Sequence, residues 1–192
     1  MGKDINNYSS IDNQLNVETV YGDINVSTKE TRFSKRFKML CSEVTQNDRY
    51  DGIMEDFEYY NTKLDGVDMP TKLKDGGFAE KEIIIATRRK EKYAKKLEKH
   101  KFFQSAQWID SQLFAKIKMN FETYVEPLIQ KETNKKKISC AVVEYVINPI
   151  LNLINIEGEN DEILNYDAED IYGMIYYLTG KCHINWTDYD NI

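Results

Sequence analysis

A mainly α-helical domain of about six helices, with short β segments at the N- and C-termini, is the fold the sequence predicts. Three observations carry it. From Phe33 to Leu178 apolar residues recur at steps of three and four, the period of a helix with one buried face. Helix breakers are scarce, with three prolines and nine glycines in 192 residues, so that period is seldom interrupted. At both ends the period shortens to two, the alternation of a strand. The composition shift places a β-rich linker or association segment at 1–31 and a helical interaction domain at 32–192.

In the first segment Leu15 and Val17, then Ile24 and Val26, alternate with polar residues around Gly22-Asp23. Two readings stand: a short hairpin, or a flexible linker that contains branched residues. A two-stranded ribbon is marginal alone. A hairpin here would therefore pair with another chain or domain, and homo-oligomerisation through this segment is the corresponding expectation.

The helices follow in order. Phe33, Phe37, Leu40, Cys41 and Val44 form the first stripe. Asn47 or Asp48 is then expected to cap a second helix carrying Tyr50, Ile53, Met54, Phe57 and Tyr60. A short turn at 71–74 ends at Gly76-Gly77, where a glycine can take positive φ. A helix from about Ala79 to His100 holds Ile83, Ala86, Tyr93 and Leu97 on one face. The surest helix carries Phe102, Ala106, Ile109, Leu113, Ile117, Phe121, Tyr124 and Leu128, and Pro127 should bend or end it. Ile138 to Leu153 make another, disturbed by Pro149. In the last helix Asp167 is the expected N-cap, with Asp170 three residues on, and Gly180 is the expected stop. Residues 182–186 then read as a short strand.

Charge narrows the function. The net charge is -6, which disfavours a dedicated nucleic-acid binder. The charge is uneven, however. Residues 88–101 hold eight Lys/Arg against two Glu, and residues 157–192 hold nine Asp/Glu against Lys181 alone. Three cysteines without a CxxC suit no disulfide framework. With no signal peptide and no apolar run long enough to span a bilayer, the expectation is a cytoplasmic protein without a membrane partner.

The chemical candidates are weak. Cys182 and His183 are adjacent, but neighbours on a strand point to opposite faces and do not converge on one substrate atom. The alternation instead buries Cys182, Ile184 and Trp186 and leaves His183 on a polar face. Two histidines and scattered cysteines do not make a zinc site. Gly76-Gly77 lacks the Lys-Ser/Thr of a phosphate loop. The acidic groups at 55–58 and 167–170 fit helix starts better than a carboxylate pair. No catalytic, cofactor-binding or metal-binding residue is expected, and no enzymatic activity. The strongest binding candidate is the basic helix: Arg88, Arg89, Lys92, Lys95, Lys96 and Lys99 form either a solvated face with local partners or a surface for phosphate or acidic protein. The acidic C-terminal third is a candidate complement, within the chain or on a second copy.

Five stretches in this order, "LKDGGF", "RRKEKYAKKLEK", "FETYVEPLI", "INPIL" and "LTGKCHINW", resemble one family. They are similar to the C-terminal domains of effector proteins in ABC-three-component (Lamassu-like) anti-phage defence systems. The resemblance covers about residues 33–192, and its most specific part is the run containing Gly180, Cys182, His183 and Trp186. It implies a tether that joins an effector to an ATPase resembling the SMC and Rad50 proteins and to a small middle component. The family's catalytic residues lie in an effector portion with no matching positions here. The functional expectation is a non-enzymatic assembly module. A nucleic-acid-binding accessory using the basic helix 88–101 is the alternative.

Overall fold

The computed structural model describes residues 30–187. Seven helices follow in order among the described residues. They are α1 (Arg32–Gln46), α2 (Glu55–Asn61), α3 (Met69–Asp75), α4 (Glu80–His100), α5 (104–130), α6 (Lys135–Glu157) and α7 (Ala168–Gly180). The described residues contain no strand. The alternating residues Leu15, Val17, Ile24 and Val26 lie outside them.

Local chemistry sets most boundaries. Thr31 caps α1 by accepting the Ser34 N–H at 3.1 Å. Asn47 closes that helix instead of opening the next one. It adopts φ 52°, a left-handed conformation asparagine tolerates, and its N–H returns to Val44 O at 3.2 Å. The second helix is therefore shorter than its apolar pattern predicts and starts at Glu55. Tyr50, Ile53 and Met54 belong to the connection, held by Tyr50 N–H on Phe102 O and Met54 N–H on Gln107 Oε1. Asp68 caps α3, and Gly77 takes φ 77° at the turn into α4.

Neither Pro127 nor Pro149 ends its helix. A proline interrupts a helix because it lacks an N–H and crowds the carbonyl four residues back. Each is preceded by a widened, π-helical stretch: Phe121–Val125 in α5 and Val142–Ile147 in α6. These stretches bond i to i−5, as in Glu126 N–H to Phe121 O and Asn148 N–H to Val143 O. The carbonyl four residues before Pro149 belongs to Tyr145, and Asn120 Nδ2 of α5 donates to it at 2.8 Å. Carried through Pro149, α6 reaches 23 residues and is apolar enough by length and composition to cross a bilayer. That corrects the expectation of no such run. Its inward residues Val142, Val146, Ile147, Ile150 and Ile154 are all buried in the core.

The core lies where α4, α5 and α7 meet. Tyr93, Ile109, Leu113, Phe114, Ile117, Ile171, Met174 and Leu178 are completely enclosed. Phe114 and Tyr177 stack at 5.8 Å between ring centres, and Tyr93 meets both edge-on. From outside, α1 adds Phe37 and Leu40, with Phe33 against Trp108 at 5.1 Å. The tightest approach of α4 and α7 is at Gly173. A Cβ there would stand 2.6 Å from Tyr93 Cβ and 2.7 Å from Arg89 O, neither of which can swing away. Gly173→Ala should therefore cost roughly 1–3 kcal/mol by forcing the two helices apart. An unchanged midpoint of denaturant unfolding would show that this spacing is not fixed.

Candidate interaction site

The basic face of α4 is answered in part from within the chain. Asp167 caps α7 by accepting the Asp170 N–H at 2.8 Å, and Asp170 returns the bond by accepting the Asp167 N–H at 3.1 Å. Beginning α7 this way places Asp167, Glu169 and Asp170 beside the middle of α4. Arg89 grips Glu169 with two bonds, Nε at 2.8 Å and Nη2 at 2.6 Å, while its guanidinium lies 4.3 Å from the Tyr172 ring centre. Lys96 Nζ reaches Asp170 Oδ2 at 2.5 Å and the Asn165 carbonyl at 3.0 Å. Lys92 bridges Asp167 at 3.3 Å and Asp170 at 3.4 Å.

Burial and charge act together at this seam. The Asp170 side chain is fully enclosed, so it depends on two lysines and the Asp167 N–H. The Glu169 hydrogen bonds, outweighing partial burial, raise the Arg89 guanidinium above its ordinary range. Burial opposes charge on Lys92, but Asp167 and Asp170 overcome it and raise its pKa. Of the six predicted binding cations, Arg89, Lys92 and Lys96 are thus engaged with α7. Arg88, Lys95 and Lys99 are exposed, with no carboxylate in ion-pair reach among the described residues.

The segment after α7 is a clasp and not a strand. Lys181 leaves the helix, and Cys182 adopts φ 71°. Cys182 N–H bonds Thr179 O at 3.1 Å, and His183 N–H bonds Leu178 O at 2.9 Å. This is the Schellman pattern, with a cysteine where glycine is usual. The helix ends at Gly180, as expected, but the left-handed residue that closes the turn beyond it is Cys182. The left-handed turn removes the strand alternation, so Cys182 and His183 are both buried, at 8% and 6% exposure. The polar-face position expected of His183 is overturned for that reason.

Each side chain of the clasp has its own engagement. The Cys182 thiol donates to Asp65, whose other oxygen accepts Lys72 Nζ at 2.8 Å. Lys72, fully buried, also bonds Asn185 Oδ1 at 2.7 Å. Desolvation acts to raise the Asp65 pKa, but the hydrogen bonds from Cys182, Lys72 and the Val67 N–H together overcome it and lower it to about 2. Burial lowers the His183 pKa, and its Nε2 meets the Tyr59 carbonyl at 3.1 Å. Thiol and imidazole therefore serve different neighbours, and the geometry of a Cys–His dyad is absent. Trp186 Nε1 donates to Thr179 Oγ1 at 3.0 Å, and its ring meets Phe78 and Phe121 edge-on. The Asp65–Lys72–Asn185 network had no signal in the sequence, because its members lie in three separate stretches.

Two of the cavities that border this region have paired charges on their walls. One, of about 210 Å³, is walled by Phe78, Ile85, Tyr172, Tyr176 and Trp186, and its two charged residues, Glu82 and Arg89, are already paired with Lys135 and Glu169. The other, of about 240 Å³, lies beside Tyr59 and His183, with Lys118 and Glu122 paired on its rim. No group of three His, Cys, Asp or Glu among the described residues is arranged to hold a metal ion.

The most distinctive residues of this helical domain are thus spent on contacts within the chain. The chain belongs to the family described as C-terminal domain 9 of the ABC-three component (ABC-3C) systems, whose model matches residues 68–186. These are systems of anti-phage defence. No curated protein and no solved structure matches the chain. The match begins at Asp68, the N-cap of α3, and ends at Trp186, the last ring of the clasp. It takes in α3 to α7, whereas α1 and α2 lie outside it.

Proposed function

We propose that this chain is a non-enzymatic assembly module that tethers an effector to an SMC-like ATPase and a middle component of the same system, in the cytoplasm. The observation that carries the reading is the use made of the family-matched residues. Cys182 and His183 tie the end of α7 to Asp65 and Tyr59, Trp186 packs on Phe78 and on Phe121 of α5, and the acids of α7 fix α4. Such residues build a rigid body that presents surfaces. A nucleic-acid-binding role keeps one supporting observation, the exposed cations Arg88, Lys95 and Lys99. The loss of Arg89, Lys92 and Lys96 to internal pairs halves the cation set it would use.

The test is reconstitution of the full chain with the ATPase and middle component of its own system. A stable complex by size-exclusion chromatography and light scattering is the expected result. No association in any combination of the three would end the tether reading.

A further inference from the structure

We infer that the outward stripe of α4, centred on Lys81, Ile84, Arg88, Lys95 and Lys99, docks an acidic, amphipathic helix of a protein partner. This rests on the assembly reading above and names the surface it would use.

The stripe follows from helical geometry. Ile83, Ala86, Tyr93 and Leu97 face the core, and Arg89 and Lys96 turn sideways to α7. At about 100° per residue, positions 81, 84, 88, 95 and 99 cluster on the side opposite the core. All five are exposed. From 81 to 99 the rise is about 27 Å, the length of a partner helix of about five turns. Ile84 is 45% exposed and Ile85 beside it 40%, which gives the stripe an apolar element next to its cations.

Charge fixes the occupant. Lys81, Arg88, Lys95 and Lys99 have no carboxylate in ion-pair reach among the described residues, although this chain is rich in acids. The α7 acids take up the neighbouring Arg89, Lys92 and Lys96 and leave these four unanswered. A partner surface with carboxylates spaced along an apolar stripe matches both features. A polyphosphate matches less well, because Ile84 gives it nothing.

The experiment uses the full chain with the ATPase and middle component of its system, in parallel with a short DNA duplex at physiological salt. Charge reversal of Lys81, Arg88, Lys95 and Lys99 together should weaken the protein complex on the order of 30-fold, mainly through slower association, and flatten its salt dependence. Ile84→Ser should weaken it as well, without changing the salt dependence. Reversal of the exposed Lys136 and Lys137 on α6 should leave it unchanged. Helical circular dichroism should match the unmodified chain in every variant, since none of these side chains is buried. Full-strength assembly by the four-site variant overturns the docking stripe while leaving the tether standing. Failure of the unmodified chain to assemble overturns both. Micromolar duplex binding that the same variant abolishes reassigns the stripe to nucleic acid.

Discussion

Trp186→Ala should lower the free energy of unfolding by roughly 3–5 kcal/mol. The ring is 7% exposed and makes edge-on contacts with Phe78 at 4.9 Å and Phe121 at 5.0 Å. It also crosses the end of α3 so closely that a Cβ on Gly76 would stand 2.6 Å from Trp186 Cβ. Alanine keeps that Cβ, but Phe78 in the turn before α4, Phe121 of α5 and Tyr176 of α7 all lose the ring they pack on. The hydrogen-bond loss is smaller, because Thr179 Oγ1 keeps its own bond to Ile175 O at 2.9 Å. Trp186→Phe, which keeps a ring but not the indole N–H, should cost much less than the alanine variant. Urea unfolding monitored by circular dichroism measures both. A near-neutral Trp186→Ala would mean that the clasp does not hold α7 to α3 and α5.

That clasp marks where the sequence is legible and where it is not. The apolar periods of α1, α4, α5 and α7 locate those helices because each buries one continuous face. Asp167 and Asp170 disclose the start of α7 because a capping box is a local device, complete within four residues. The alternation also predicts the burial of Cys182, Ile184 and Trp186, though by the wrong geometry. Alternation gives a strand only if φ stays negative, and nothing local announces that Cys182 takes the left-handed turn usually given to glycine. The thiol's bond to Asp65, 117 residues away in sequence, accompanies that turn and is invisible to any window. The prolines are half legible. Pro127 reads as a bend or an end and Pro149 as a disturbance; the disturbance is there in both helices as a π-helical stretch, and with Asn120 on the Tyr145 carbonyl both helices continue.

The proposed docking stripe is half legible for the same reason. A run of eight cations in 14 residues is plain, but which of them face outward depends on the partner helix. Helical spacing alone puts Lys92 close to the Arg88–Lys95–Lys99 side. The acids of α7 draw it to the seam, and Arg89 and Lys96 with it. Complementary charge within the chain is one of the readings the composition allows. The structure adds the residue-by-residue division.

Replacing Asp110 by asparagine should make the protein more stable at pH 8 and remove a pH dependence that the unmodified chain carries. Asp110 is 1% exposed on α5, on the same face as Ile109 and Leu113. Its Oδ1 accepts the phenol of Tyr166 at 2.7 Å and that of Tyr93 at 3.1 Å. Burial raises its pKa to about 7, and the two phenol bonds, which favour the carboxylate, only partly offset this. In the unfolded chain the group returns to 3.8. Between those values the native state holds a proton that the unfolded state has released. Stability therefore falls as pH rises from about 4 to about 7 and levels off above. At about 1.36 kcal/mol per pH unit the full loss is about 4 kcal/mol. His100 and His183, both lowered chiefly by burial, run the other way: their contribution is present above the unfolded histidine value of 6.5 and is lost as pH falls. The difference between the two proteins cancels the histidines. The Asp110→Asn side chain retains an acceptor for both phenols and the same shape, so the variant's advantage should be small near pH 4 and grow to a few kcal/mol by pH 8. Urea titrations of both proteins across that range decide it. A stability difference that does not change with pH would mean that Asp110 ionises in the core without penalty, and that the Tyr93–Asp110–Tyr166 cluster is built around a carboxylate.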